Sequence, residues 1–304
     1  MKKLVLFIAL LLPVAVAEAK QKASKKAPKH IIIVGFDGMS AQSIREADAM
    51  PFYESMMKKG AYTLTRRSVL PSSSACNWAS LYMAAGPEQH GYNKWNSRTP
   101  DFPSDTLTRH GFFPDIYFLI KENMPGAKIG HFYEWDGMHY VVDTLSVDRD
   151  FHFDHNNEAQ MQSVIDYVVK EKPTMVSIVF DNPDHAGHSI GWMTPEYLAA
   201  ETEMDGALSR IYKAVEQQPG MLEETLFVLT ADHGGKGKSH GGTSLEELET
   251  CLVFCGKGIQ PGTVITETSN VTDVAATLAV ILGLPRPHAW IGRPLPSIVG
   301  RKKK

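Results

Sequence analysis

The chain has 304 residues, 43% hydrophobic and 21% charged, which is the balance of an ordinary globular protein and excludes disorder, collagen-like repetition and coiled coil. A net charge of −3 at pH 7 leaves no electrostatic footprint for duplex nucleic acid. Its 3 Cys cannot all pair, which excludes a disulfide scaffold.

The N-terminus comes first. Lys2 and Lys3 precede an apolar run over residues 4–16, with small residues at Ala15, Ala17 and Ala19. This is the order of regions in a secretory signal peptide, expected over residues 1–19, and the run is too short to span a bilayer comfortably. An exported protein follows, periplasmic or secreted, with no stable membrane anchor. Residues 20–29 read as a flexible polar lead-in, and 30–300 as a single catalytic domain. Length alone suggests two domains at roughly 150 residues each, but large α/β domains run this long as one unit.

Residues 31–36 are a continuous β-branched run of the kind buried in a parallel strand. Pro51 opens a helix that Gly60 closes. The apolar pair Val69-Leu70 runs into Pro71-Ser72-Ser73-Ser74, and a helix is predicted over 75–85, stopped by Gly86-Pro87. Residues 92–153, rich in aromatics, His and Asp, are expected to form a small cap or insertion, with strand-like character at 127–133. Helices follow at 158–171, 195–217 and 270–282, and strands at 175–180, 226–230 and 251–255. Strands alternating with helices predict an α/β fold: a largely parallel central sheet with helices on both faces.

Ligands in such sheets bind beyond the carboxyl ends of the strands. Strand 31–36 delivers Asp37 there, strand 175–180 delivers Asp184, His185 and His188, and strand 226–230 delivers Asp232 and His233, with His240 close behind. A single Asp in a loop is usually a cap or turn former. Three such clusters would crowd carboxylates together, and that needs a cation. Asp with neutral imidazole suits Zn²⁺, with other divalent transition metals as alternatives. There are ligands for two ions, and two metals ~4 Å apart clamp an in-line displacement at phosphorus. A serine before a helix is commonly its N-cap. Here a hydroxyl at the helix N-terminus also meets the positive end of the dipole and the same sheet edge, so one of Ser72, Ser73 and Ser74 is a candidate nucleophile.

Gly35-Phe36-Asp37-Gly38, Pro71-x-x-Ser74-x-x-Asn77, Pro183-Asp184-x-x-Gly187-His188, Asp232-His233-Gly234 and His240-Gly241-Gly242 together resemble the alkaline phosphatase superfamily, and within it the type I phosphodiesterase / nucleotide pyrophosphatase family. The resemblance runs over about residues 30–295. It implies that Asp184, His188 and His240 hold one zinc and Asp37, Asp232 and His233 the other, with Ser74 bridging to it as nucleophile. It also implies an asparagine after His90-Gly91 that bonds a phosphate oxygen, for which Asn96 is favoured over Asn93. The Cys- or Ser-x-Pro-x-Arg pattern of sulfatases and the Asp-Ser-Ala of alkaline phosphatases are both absent around Ser74. The implied activity is hydrolysis of small phosphoric diesters or pyrophosphates, nucleotides among them, through a covalent phosphoserine. Rival readings are a phosphomonoesterase or phosphonate-ester hydrolase on the same site, and a noncatalytic zinc protein binding phosphorylated ligands. Tyr92, Trp95, Phe132, Tyr133 and Trp135 are candidates to stack on a nucleobase, although core filling is the commoner use. His152, Asp154 and His155 read as a solvated turn in preference to a further metal site, and Cys251 and Cys255 as small core residues.

Overall fold

Ile31, Ile32, Ile33 and Val34 lie in the central strand, and their alternation explains the layers on either side of it. In the computed structural model, which describes residues 27–300, Ile31 and Ile33 face one core, while Ile32, Val34 and Phe36 face the other. The expected signal segment lies outside the described residues. The strands are β1 His30–Phe36, β2 Ala61–Arg67, β3 Ile129–Tyr133, β4 Arg149–His152, β5 Met175–Phe180, β6 Thr225–Thr230, β7 Glu249–Gly256 and β8 Thr263–Val264. They form one 8-stranded sheet in the order β4-β3-β5-β1-β6-β7-β2-β8. β1 pairs in parallel with β5 and β6, β3 with β4 and β5, and β2 with β8; β7 alone runs against its neighbours.

The helices are α1 Ala41–Glu46, α2 Pro51–Lys59, α3 Ser74–Met83, α4 Pro87–His90, α5 Ile116–Asn123 and α6 Asn157–Glu171. After them come α7 Asp184–Ser189, α8 Pro195–Glu216, α9 Leu245–Leu248, α10 Asp273–Leu282 and α11 Pro296–Val299. α3, α5 and α10 cover one face of the sheet, and α2, α6 and α8 cover the other. Among the described residues no helix is long and apolar enough to cross a membrane.

Every residue of α3 is buried. The helix packs this closely because β1 carries Gly35 beneath it: a Cβ there would meet the Trp78 ring at 2.3 Å. Ala84 ends the helix in the left-handed conformation, φ 48°. α2 runs as its sequence suggests, with Pro51 at the start, Glu54 in the first turn and Lys58-Lys59 in the last.

Two regions differ from expectation. Residues 61–67 form β2, whose alternation is broken by an irregularity between Thr63 and Arg66 and hidden by the charge of Arg66 and Arg67. Residues 92–153, expected as a cap, divide in two: β3 and β4 join the sheet, while Trp95 and Trp135 reach the cleft above it. The burial of Ile129, Phe132 and Tyr133 on the two faces explains why this stretch cannot stand off as a lid.

Candidate active site

Asp37 follows β1, Asp184 opens α7 four residues beyond the end of β5, and Asp232 and His233 follow β6. Because β5, β1 and β6 are adjacent and parallel, the three acids arrive at one sheet edge. The ligating atoms of Asp37, Asp232 and His233 all lie within 4.8 Å of one another, as do those of Asp184, His188 and His240. The first triad is fully buried, and the second opens onto a cleft of about 320 Å³. The main-chain N–H of Asp184 donates to Asp37 O at 2.9 Å, which ties one triad to the other. Gly38 makes the turn with φ +67°, and any Cβ on it would strike Asp184.

Each histidine is oriented by a backbone carbonyl. Nδ1 of His233 faces Gly234 O at 2.9 Å, that of His188 faces Lys238 O at 3.0 Å, and that of His240 faces Ser72 O at 3.0 Å. A carbonyl only accepts, so Nδ1 carries the proton in all three and Nε2 presents a free lone pair. Those Nε2 atoms point at the acids: His233 lies 3.1 Å from Asp232 Oδ2 and 3.4 Å from Asp37 Oδ1, and His188 lies 3.3 Å from Asp184 Oδ2. Burial holds the imidazoles of His233 and His240 down to about 3, which keeps them neutral ligands.

The carboxylates are short of partners. Asp37 Oδ2 accepts the Trp78 indole N–H at 2.9 Å, and Asp232 Oδ1 accepts the Gly38 N–H at 3.2 Å. Asp37 Oδ1, Asp184 Oδ1 and Asp232 Oδ2 are buried with no hydrogen-bond partner. Burial, with the charges of Asp232 and Asp184, pushes the Asp37 carboxyl well above the usual range. Burial and the charges of Asp232 and Asp181 do the same to Asp184. A divalent cation in each triad would satisfy these orphaned oxygens and cancel the repulsion, a role the donor set of each triad fits.

Ser74 is the first residue of α3, and its Oγ lies 3.2 Å from His233 Nε2. The other two serines are engaged elsewhere. Ser72 Oγ donates to Gly242 O at 2.8 Å and accepts the Gly241 N–H at 3.2 Å, while Ser73 Oγ contacts Cys76 Sγ at 3.6 Å. Asn77 braces this turn: its Oδ1 accepts the Val69 N–H at 2.7 Å and its Nδ2 donates to Ser73 O at 3.0 Å.

The structure does not bring Asn96 to the cleft. Trp95 O accepts the Ala75 N–H at 3.1 Å, and with the loop pinned there the Trp95 ring lines the cleft while Asn96 is exposed. Asn93 is not among the residues lining the cleft; its main-chain N–H donates to Asp101 Oδ2 at 3.3 Å. Of the candidate stacking residues, Tyr92, Phe132 and Tyr133 are core, whereas Trp95 and Trp135 line the cleft with rings stacked at 6.5 Å. Of the His152, Asp154, His155 group, only His155 joins a cluster, with Asp181 and His185.

Sequence reasoning missed two supports. Trp192 packs against His188 and His240 and donates its indole N–H to Gly38 O at 2.9 Å. Arg66, completely buried, bonds Thr230, Thr250 and Ala231 O directly beneath Asp232. No local pattern marks either residue, since each acts through contacts distant in sequence.

Human GPI ethanolamine phosphate transferase 2, catalytic subunit, is 35% identical over 181 residues, which cover 56% of this chain and 17% of that protein. Human ectonucleotide pyrophosphatase/phosphodiesterase family member 1 is 23% identical over 218 residues, 67% of this chain and 23% of that protein. The matches thus span less than a quarter of the length of these curated relatives. Murine ectonucleotide pyrophosphatase / phosphodiesterase 5, an inactive form in complex with AMP, shares the fold with a TM-score of 0.69 at 14% identity, covering 85% of this chain and 96% of that one. Residues 31–258 match the family model described as type I phosphodiesterase / nucleotide pyrophosphatase, and the chain belongs to that family of enzymes acting on phosphoric esters.

Proposed function

We propose that the protein is an exported two-zinc enzyme that cleaves small phosphoric diesters or pyrophosphates, with Ser74 as nucleophile and a phosphoserine as covalent intermediate. The observation that carries this reading is the set of three buried carboxylates, each with an unpartnered oxygen, around the hydroxyl at the start of α3. Asp37, Asp232 and His233 would hold one ion and Asp184, His188 and His240 the other. Bound there, two divalent ions supply Lewis acidity to the phosphoryl oxygens and lower the pKa of a coordinated hydroxyl. Export rests on the Lys2-Lys3 and residue 4–16 pattern.

Ser74 stands at the positive end of a 10-residue helix, which favours its oxyanion and the incoming phosphate alike. Its oxygen bonds to phosphorus as the bond to the leaving oxygen breaks; the serine proton passes to solvent, and the departing alkoxide takes one up. Attack by water, or by an alcohol if the reaction is a transfer, then breaks the serine–phosphorus bond and restores Ser74. The relatives named above support both outcomes, being a phosphate transferase and a pyrophosphatase/phosphodiesterase. The neighbour holding AMP supports a nucleotide among the substrates, with the Trp95 and Trp135 pair as the surface on which a base stacks.

Acid-quenching a turnover of a nitrophenyl nucleotide diester and mapping the phosphorylated residue by mass spectrometry tests the reading. Label is expected on Ser74, and Ser74→Ala is expected to lose several powers of ten in kcat while keeping its metal. Label on Ser72 or Ser73 would refute the nucleophile. Faster turnover of nitrophenyl phosphate than of the diester would move the assignment to a monoesterase.

A further inference from the structure

The carboxyl edge of the sheet carries a second cluster, beside the first. The two-triad site stands over β5, β1 and β6; one step along, over the adjacent parallel strands β4, β3 and β5, the chain places His155, Glu134 and Asp181. His155 Nδ1 lies 2.8 Å from Asp181 Oδ2, and His185 Nδ1, reaching back from α7, lies 3.9 Å from the same oxygen. One ligand atom from each of the three falls within 4.8 Å of the others, the same closeness shown by the two catalytic triads. Two imidazoles on one carboxylate oxygen is more than an ion pair requires.

A second observation points the same way. Glu134, 1% exposed, accepts the Asp181 N–H on Oε2 at 2.9 Å, while its Oε1 is buried with no partner. Asn182 Oδ1, next in the chain to Asp181, is also buried without a partner. Two buried acceptor oxygens beside Asp181 thus lack a donor, as oxygens of the catalytic triads do, and a cation held there would supply positive charge to them.

We propose that His155, Asp181 and His185 form a third site for a divalent transition-metal ion, open to the cleft. Two imidazoles and one carboxylate suit Zn²⁺, Co²⁺ or Ni²⁺ over the oxygen-preferring Mg²⁺ and Ca²⁺. Three protein ligands leave at least one coordination position free. Asp181 and His185 line the same cleft as Ser74, so that position is available to water or to an anionic group of the substrate away from the phosphorus attacked. His155 and His185 are exposed, with side-chain exposures of 52% and 64%, so this ion binds more weakly and exchanges faster than those in the buried triads.

Equilibrium dialysis of the full chain against rising zinc, read by elemental analysis, tests the site, with the Co²⁺ visible spectrum as a second readout. Wild type is expected to take up two ions tightly and a third at a Kd at least tenfold weaker. His155→Ala and His185→Ala, both at exposed positions, are expected to lose the third ion and its cobalt absorption while retaining the tight pair. Uptake that stops at two, or a third ion undisturbed by either substitution, would leave His155 and Asp181 as a plain ion pair and overturn the proposal. Loss of the tight ions with the weak one retained would instead count against the two-zinc reading above.

Discussion

The indole of Trp78 makes the sharpest test of how the buried triad is built. Asp37 has one protein donor on its carboxylate, the Trp78 N–H at 2.9 Å, and its other oxygen has none. Trp78→Phe keeps an aromatic ring against Gly35 and deletes that donor. A hydrogen bond to a charged group contributes about 1.5–3 kcal/mol. Deleting a partner that orients a metal ligand lowers metal affinity about 10- to 100-fold, and at about 1.4 kcal/mol per tenfold the two scales agree. The smaller ring also leaves a void that costs stability whether or not metal is present. The two effects separate experimentally: calorimetry on the metal-free protein reads the void, and competition with a chromogenic zinc chelator reads the triad. Affinity within two- to threefold of wild type in a folded Trp78→Phe protein would refute the claim that the indole tunes Asp37.

Ser72→Ala should weaken the anchoring of the His240 loop, since Ser72 Oγ bonds both Gly241 N and Gly242 O. With each bond at about 0.5–1.5 kcal/mol, kcat/KM should fall about tenfold or more while acid-quenched label still appears on Ser74; an unchanged kcat/KM would mean the loop is held by other contacts. Glu201, buried between α1 and α8, has its carboxyl pushed up to about 8 by burial, against 4.5 in the unfolded chain. Its contribution is therefore present below pH 4.5 and declines by about 1.4 kcal/mol per pH unit as pH rises to 8. Glu201→Gln should flatten that slope in urea melts at pH 5.5, 7 and 8.5, and parallel slopes in variant and wild type would sink the argument.

What the sequence made legible were the strands that end in chemistry. β1, β5 and β6 are buried on both faces, so they read as unbroken apolar runs, and an acid directly after such a run stands out. Choosing Ser74 over its neighbours needed a family resemblance at the sequence level, and the structure supplies a physical basis: Ser72 is spent on a loop and Ser73 on Cys76. β2 was hidden because Arg66 looks like a surface residue, and its burial depends on Thr230, Thr250 and Ala231, none of them nearby in sequence. The reversal of β7 leaves no local trace, because strand direction is set by the connection rather than by the strand. Asn96 lies exposed beside Trp95, in a loop whose path depends on the Ala75 N–H to Trp95 O bond and on the bonds of Lys94 and Ser97 to Asp101, contacts that spacing from His90-Gly91 does not reveal. The His155, Asp181 and His185 cluster draws on two separate segments, so no motif spacing exposes it.

The two triads are mechanically one unit. The Asp184 N–H bonds Asp37 O, the rings of His233 and His240 stack at 3.7 Å, and Ser72, two residues before Ser74, carries the carbonyl that orients His240. The three oriented histidines all rely on main-chain carbonyls, at Gly234, Lys238 and Ser72, and the Ser72 hydroxyl acts on the ligand geometry only by holding the backbone at Gly241 and Gly242. What sets it is the path of the backbone, and that path depends on β5, β1 and β6 keeping their register and on Gly38 making its turn against Asp184. Parallel strands about 4.8 Å apart fix the spacing of Asp37 from Asp232 and His233, while Asp184 and His188 ride on α7 and His240 on the loop that Ser72 holds. Asp37, Asp232 and His233 therefore stand at strand ends, while the aromatics over the cleft, Trp95 and Trp135, sit on loops that carry none of the six Asp and His side chains.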